Sequence, residues 1–190
     1  SADKTSAGQT PQEAGNVRLA WDDNFFYVGW ELPDSDIVAE GRENHMLHYE
    51  FGDVGELFLK PDDQSWYWEL YVTPAGNMST FWFPGRGRLG LKSCFEQYHF
   101  DMKVAVQCEG TLNDWQDKDV RWTAEIAVPI SELTARGEKF APAAKWRILT
   151  ARYNYSRYLS ETGPEYTMYP QLPRTNYHLL ENYAALKLVR

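Results

Sequence analysis

The run Trp66-Tyr67-Trp68-Glu69-Leu70-Tyr71-Val72 constrains this chain most, because its side chains alternate in character at every step. Successive residues of a β-strand point to opposite faces, so Trp66, Trp68, Leu70 and Val72 share one face and Tyr67, Glu69 and Tyr71 the other. The first face is core. The second holds a carboxylate between two phenols. It is either a solvated strand face or a surface suited to a polar, ring-shaped ligand such as a sugar. Upstream, Val54-Gly55-Glu56-Leu57-Phe58-Leu59 forms the other arm of a hairpin and carries a second acid, Glu56.

The same punctuation recurs along the chain. Residues 17–32 read as a hairpin around the Asp22-Asp23-Asn24 turn signal. Strands are expected at 54–60, 65–73, 79–83, 102–108, 120–128, 145–154 and 183–189, with one short helix opening at Pro129. Residues 37–52, 84–100 and 155–182 read as long loops, which in a compact domain usually carry function. About nine strands, one short helix and long connections predict an all-β fold, an antiparallel β-sandwich of jelly-roll or immunoglobulin-like type. The domain is expected over residues 16–190. Residues 1–15 read as a flexible tail or linker, or as a trimmed terminus of a longer precursor.

Aromatics make up 15% of the 190 residues, with 8 Trp and 12 Tyr. Trp and Tyr are favoured where an apolar ring must also present a polar edge. The net charge of -8 argues against nucleic acid or an anionic membrane as partner and leaves neutral ligands open. No apolar run is long enough for a transmembrane helix, and no signal-peptide pattern appears. Cys94 and Cys108 are either one disulfide or two free thiols.

Six segments in order, VRLAWDDNFFYVGWELPDSDI, GDVGELFLKP, WYWELYVTPAGN, VRWTAEIAVPISEL, WRILTARYN and NYHLLENYAALKLV, resemble carbohydrate-binding module family 9. That family is a β-sandwich related to the DOMON group of sugar- and haem-binding domains. The resemblance runs from about residue 16 to the end. It implies a ring clamped between aromatics, with polar groups of a sheet face on its hydroxyls. Glu56 matches the acid of the family's D-x-x-E-L/I-F motif. Glu69 matches a polar strand position, and Tyr177 the clamp before the last strand. Tyr49 and Phe51 are nearest to the other clamp. The resemblance also implies a secreted, periplasmic or cell-surface domain of a longer polysaccharide-degrading polypeptide, and structural calcium.

Other candidates carry two readings each. Arg152 is a fork for hydroxyls or an ion-pair partner of Glu56 or Glu69. Trp82 is a stacking platform or part of a second core layer. His178 bonds a hydroxyl or fixes a turn. Asp34 and Asp36 form a D-x-D turn that either binds Ca²⁺ or caps backbone. The string Gly85 to Gly90 fits G-x-G-x-x-G but has no βαβ setting, so a dinucleotide site is excluded. Asn77 and Asn154 fit the glycosylation pattern.

The function expected is therefore non-catalytic carbohydrate binding by Tyr49, Glu56, Glu69, Trp82, Arg152, Tyr177 and His178, with no required cofactor. An acid/base role for Glu56 and Glu69 would need a deeper cleft than one small sandwich offers. Two alternatives stand beside it. One is haem binding by a Met/His pair drawn from His45, Met46, His48, Met168 and His178. The other is an accessory domain that binds no ligand and packs against neighbouring domains.

Overall fold

The computed structural model describes residues 10–88, 93–94, 98–159 and 163–189. Residues 1–9 of the expected tail and Leu89-Gly90 of the glycine string lie outside the described residues. The strands are β1 (Asn16–Trp21), β2 (Phe25–Pro33), β3 (Val54–Pro61), β4 (Tyr67–Val72), β5 (Met78–Phe83), β6 (Lys103–Glu109), β7 (Arg121–Pro129), β8 (Trp146–Asn154), β9 (Glu165–Tyr169) and β10 (Ala184–Leu186). Helix α1 (Ile130–Thr134) follows β7 directly.

Two antiparallel sheets result. One has the order β1-β2-β7-β6; the other has β10-β8-β3-β4-β5, with β9 also paired to β8. The expected sandwich is observed. The loop expected over 155–182 differs: it contains β9, which pairs along β8 from Thr150 to Asn154. Pro164 and Pro170 bracket this strand and break up its pattern in the sequence.

Alternation builds the layer between the sheets. Phe26, Val28, Trp30 and Leu32 of β2 and Trp122, Ala124, Ile126 and Val128 of β7 meet Leu57, Leu59, Trp68, Leu70 and Val72. Each large side chain in such a layer contributes about 1.5–3 kcal/mol relative to exposure. The β1–β2 hairpin closes on Asp22, whose Oδ1 accepts the amides of Asn24 (2.7 Å) and Phe25 (2.8 Å). Those amides hold the Asp22 carboxyl below its ordinary range.

Aspartates also staple the loops. Buried Asp53 accepts the amides of Val38 (2.7 Å) and Tyr155 (2.6 Å), fixing residues 34–39 and the end of β8 to the start of β3. Gly52, beside it, has φ +139°, and a Cβ there would lie 2.2 Å from the Val38 carbonyl oxygen. The 3-10 turn His48–Glu50 carries Tyr49, whose ring lies against Tyr71 of β4 and Tyr153 of β8. At the N-terminus, residues read as tail are tied down. Glu165 accepts the amides of Gln12 (2.6 Å) and Glu13 (3.2 Å), and Glu13 Oε2 accepts from Asn154 (2.8 Å).

Candidate functional site

Strand register brings the two acids together. Glu56 lies opposite Tyr71, and Phe58 opposite Glu69. Glu56 and Glu69 are therefore diagonal neighbours on one face of adjacent strands. This face turns away from the four-stranded sheet. It is not a solvated face, however. Val54, Phe58, Tyr67, Tyr71, Phe81, Phe83, Leu149 and Ala151 form a second apolar layer there, roofed by Leu172, Tyr177 and Tyr183. Every residue of β3 and β4 is buried.

Two carboxyl groups thus sit in an apolar layer, at 1% exposure for Glu56 and 4% for Glu69. The Tyr71 hydroxyl donates to Oε1 of Glu69. Among the described residues, neither oxygen of Glu56 nor Oε2 of Glu69 has a hydrogen-bond partner. An unpaired polar group so buried costs about 1–3 kcal/mol, and a charge more. Burial, then the charge of Glu69, raises the Glu56 carboxyl well above its ordinary range. Burial pushes Glu69 up to about 7, against the pull of the Tyr71 hydrogen bond.

His178 supplies the complementary donor. Its Nδ1 is 2.7 Å from the Tyr67 hydroxyl, and its Nε2 is 4.0 Å from Oε2 of Glu69. Burial, then the charge of Arg86, holds the imidazole below its ordinary range, so it is neutral at pH 7. Burial also raises the Tyr67 phenol, which keeps its proton and donates to Nδ1. Nε2 then bears the hydrogen and faces the free oxygen of Glu69. The side chain of His178 is 38% exposed and reaches solvent, whereas that of Glu69 beneath it is 5% exposed. Arg86 secures the segment by bonding the His178 carbonyl (3.3 Å) and Glu181 (2.9 Å).

Half-buried tyrosines rim the face. Tyr49 packs against Tyr71 (6.3 Å between ring centres) and Tyr153 (5.6 Å), and Tyr153 meets Tyr166 edge-on (4.9 Å). The Tyr155 hydroxyl anchors the Tyr49 carbonyl at 2.6 Å. Of the residues expected at the site, Tyr49, Glu56, Glu69, Tyr177 and His178 gather here. Tyr177 does so as packing rather than as an exposed clamp. It is buried against Phe58 (5.8 Å) and Tyr153 (5.9 Å).

Four expected site residues lie elsewhere. Arg152 pairs with Gly55, not with Glu56, and so projects from the opposite face of the sheet. It is an ion-pair residue, but its partner is Asp34 (2.8 Å), with the Pro33 carbonyl at 2.8 Å, the Glu13 carbonyl at 3.1 Å and Asn154 at 2.8 Å. Trp82 pairs with Trp68 and faces inward, while Phe81 and Phe83 join the carboxyl face. It packs on Trp66 (6.4 Å), Tyr98 (4.7 Å) and the Arg136 guanidinium (4.4 Å), which is the core-layer reading.

Asp34, read as either a calcium ligand or a turn cap, accepts the Asp36 amide (3.0 Å) and is also bonded by Arg152 and by the Trp122 indole (3.2 Å). A guanidinium on that carboxylate opposes a cation there. Asp36 accepts the Arg157 amide at 2.9 Å. Among the described residues no three His, Cys, Asp or Glu side chains gather as a metal site. Cys94 and Cys108 are both free thiols. Two rim residues, Tyr153 and Tyr166, were not anticipated. The parity of β8 alone separates Tyr153 from Arg152 and could have identified it.

No protein-family model and no curated protein sequence matches this chain. Its fold does match solved structures. A candidate carbohydrate-binding protein from Bacteroides uniformis superposes with a TM-score of 0.65 at 12% identity, over 93% of this chain and 79% of that one. A family 9 carbohydrate-binding module from Caldicellulosiruptor kristjanssonii, solved with glucose, gives a TM-score of 0.50 at 14% identity, over 85% of this chain and 68% of that one. The chain therefore shares the antiparallel β-sandwich of these proteins. No helix among the described residues is long and apolar enough to cross a membrane.

Proposed function

We propose that this domain binds a neutral carbohydrate, without catalysis, on the outer face of the six-stranded sheet. One observation carries the reading: an unpartnered carboxylate oxygen of Glu69 lies 4.0 Å from His178 Nε2 at the rim of a tyrosine-lined face. A single hydroxyl about 2.8 Å from each atom donates to Glu69 and accepts from His178. The half-buried Tyr49 and Tyr153 rings supply apolar surface for the C–H face of a sugar ring. The net charge of -8 disfavours an anionic ligand. The fold shared with a glucose-bound module supports the same assignment.

The haem alternative has less support. Met168 lies opposite Ala151 on β9, whereas His178 lies over β4 and β5. His178 also packs on Phe58 of β3, so strand β8 lies between the two side chains.

A glycan array followed by calorimetry with glucose and its oligomers tests the proposal. Saturable binding that is lost in His178→Ala, without release of reducing ends, is the expected result. No measurable affinity for any mono- or oligosaccharide defeats it, and so does hydrolysis of the bound glycan.

A further inference from the structure

Three of the chain's 4 histidines, His45, His48 and His99, cluster where the loop before β3 meets the start of β5. The loop is fastened to that strand by few bonds. The His45 amide donates to the Met78 carbonyl (2.7 Å), the Met78 amide to Asn44 (3.0 Å) and the Ser79 hydroxyl to the Met46 carbonyl (2.7 Å). His45 holds a left-handed backbone, φ +60°, which is uncommon for a residue with a Cβ. The same loop carries Tyr49, whose ring rims the carboxyl face.

The His48 ring is buried, at 1% exposure, and neither of its nitrogens has a hydrogen-bond partner among the described residues. An unpaired imidazole costs something when neutral and far more when charged. His45 faces His99 at 4.6 Å between ring centres. His99 belongs to the sheet side of this contact, because the next amide, that of Phe100, is bonded to Thr80 of β5 (3.2 Å). Two imidazoles so close cannot both take up a proton without repulsion between loop and sheet. Burial, then His99, holds His45 below its ordinary range, against the pull of Asp101. Burial holds His48 down at about 4, against the pull of the Met78 backbone, and the charge of His45 lowers it further.

We propose that this cluster is an acid-operated latch on the carbohydrate face: as pH falls, His48 leaves its burial site, the loop lifts from β5, and Tyr49 leaves the rim. The link to sugar rests on the function proposed above. The sign is that of groups buried neutral: the open loop binds more protons than the closed one, so closure weakens below the ordinary imidazole range. The buried carboxyls act in the opposite direction. Asp53, Glu56 and Glu69 are all held above their ordinary range, chiefly by burial, so their contribution to the folded state grows in acid. Acid therefore loosens the loop and not the sandwich.

The test is amide hydrogen exchange of the ligand-free chain at pH 8 and pH 5, corrected for the intrinsic rate. The amides of Glu40, His45 and Phe51, all hydrogen-bonded within or from the loop, should lose protection about thirtyfold, as a shift from 6.5 to about 4 requires. Amides of β7 should keep theirs. His48→Phe, which replaces the imidazole by a ring that cannot titrate, should hold the loop's protection within about threefold over the same range. Protection that is equal at both pH values in the wild type, or lost equally throughout the domain, would overturn the proposal. So would a wild-type His48 imidazole that takes up its proton in an NMR titration while the loop stays protected. These readouts need no sugar, so they stand apart from the fate of the carbohydrate reading. With the tightest-binding glycan from the array, affinity should fall further between pH 8 and pH 5 in the wild type than in His48→Phe, since His178 titrates in both. An equal fall would overturn the link between latch and face.

Discussion

Replacing Glu69 by Gln should stabilise this protein at alkaline pH and leave it unchanged in acid. The folded-state carboxyl titrates at about 7, against an ordinary 4.5. Between those values the native state holds a proton that the unfolded chain has released. Stability therefore falls as pH rises through that window and levels off above it. The difference of about 2.5 units corresponds to about 3 kcal/mol. That is a large share of the 5–15 kcal/mol typical of a folded domain. Gln keeps the volume and the oxygen that accepts from Tyr71, and removes the charge. Asp34, pushed up to about 6 mainly by burial, adds a slope of the same sign, but it is common to both proteins and cancels in the comparison. Urea unfolding at pH 4 and pH 8 measures the effect. The two proteins should match at pH 4, and Glu69→Gln should gain up to about 3 kcal/mol at pH 8. If the variant is instead less stable at pH 8 than wild type, the Glu69 carboxylate is a stabilising charge and the reasoning fails.

Three further outcomes follow from the packing. Arg152→Ala leaves Asp34 buried without its cation and should cost about 3–5 kcal/mol, read from the urea midpoint. Gly52→Ala forces a Cβ onto the Val38 carbonyl in a left-handed conformation, so it should lower the thermal midpoint by several degrees and loosen the Tyr49 turn in hydrogen exchange. The Cys94 thiol, buried and pushed up to about 11, should react with a thiol reagent at neutral pH only on unfolding, after the half-buried Cys108.

Much of the fold is written in local alternation, because a strand with one face in the core must repeat with period two. The faces of β4 follow directly from Trp66 to Val72. What alternation cannot give is the partner of the second face. Tyr67, Glu69 and Tyr71 carry polar atoms, yet segments around Tyr49 and Tyr177 fold over them and bury them all. The Arg152–Asp34 pair spans 118 residues and depends on the two sheets meeting, so the sequence offered Glu56 and Glu69 as nearer partners. The parity of β8 nonetheless places Arg152 with Trp146 and Ile148, on the inward side. Trp82 follows the same logic: only its register with Trp68 decides which of β5's two aromatic faces is the inner one. Strand β9 escaped because five residues between prolines are too few to show a period.

The proposed hydroxyl bridge between Glu69 and His178 can be tested directly. Long-range ¹H–¹⁵N NMR reports the protonation and hydrogen bonding of the His178 imidazole during titration with glucose, or with the tightest-binding glycan from the array. Saturable movement of the Nε2–H resonance, with Nδ1 remaining an acceptor from Tyr67, is the predicted result. An imidazole that stays unchanged while the glycan binds elsewhere on the domain would contradict the account.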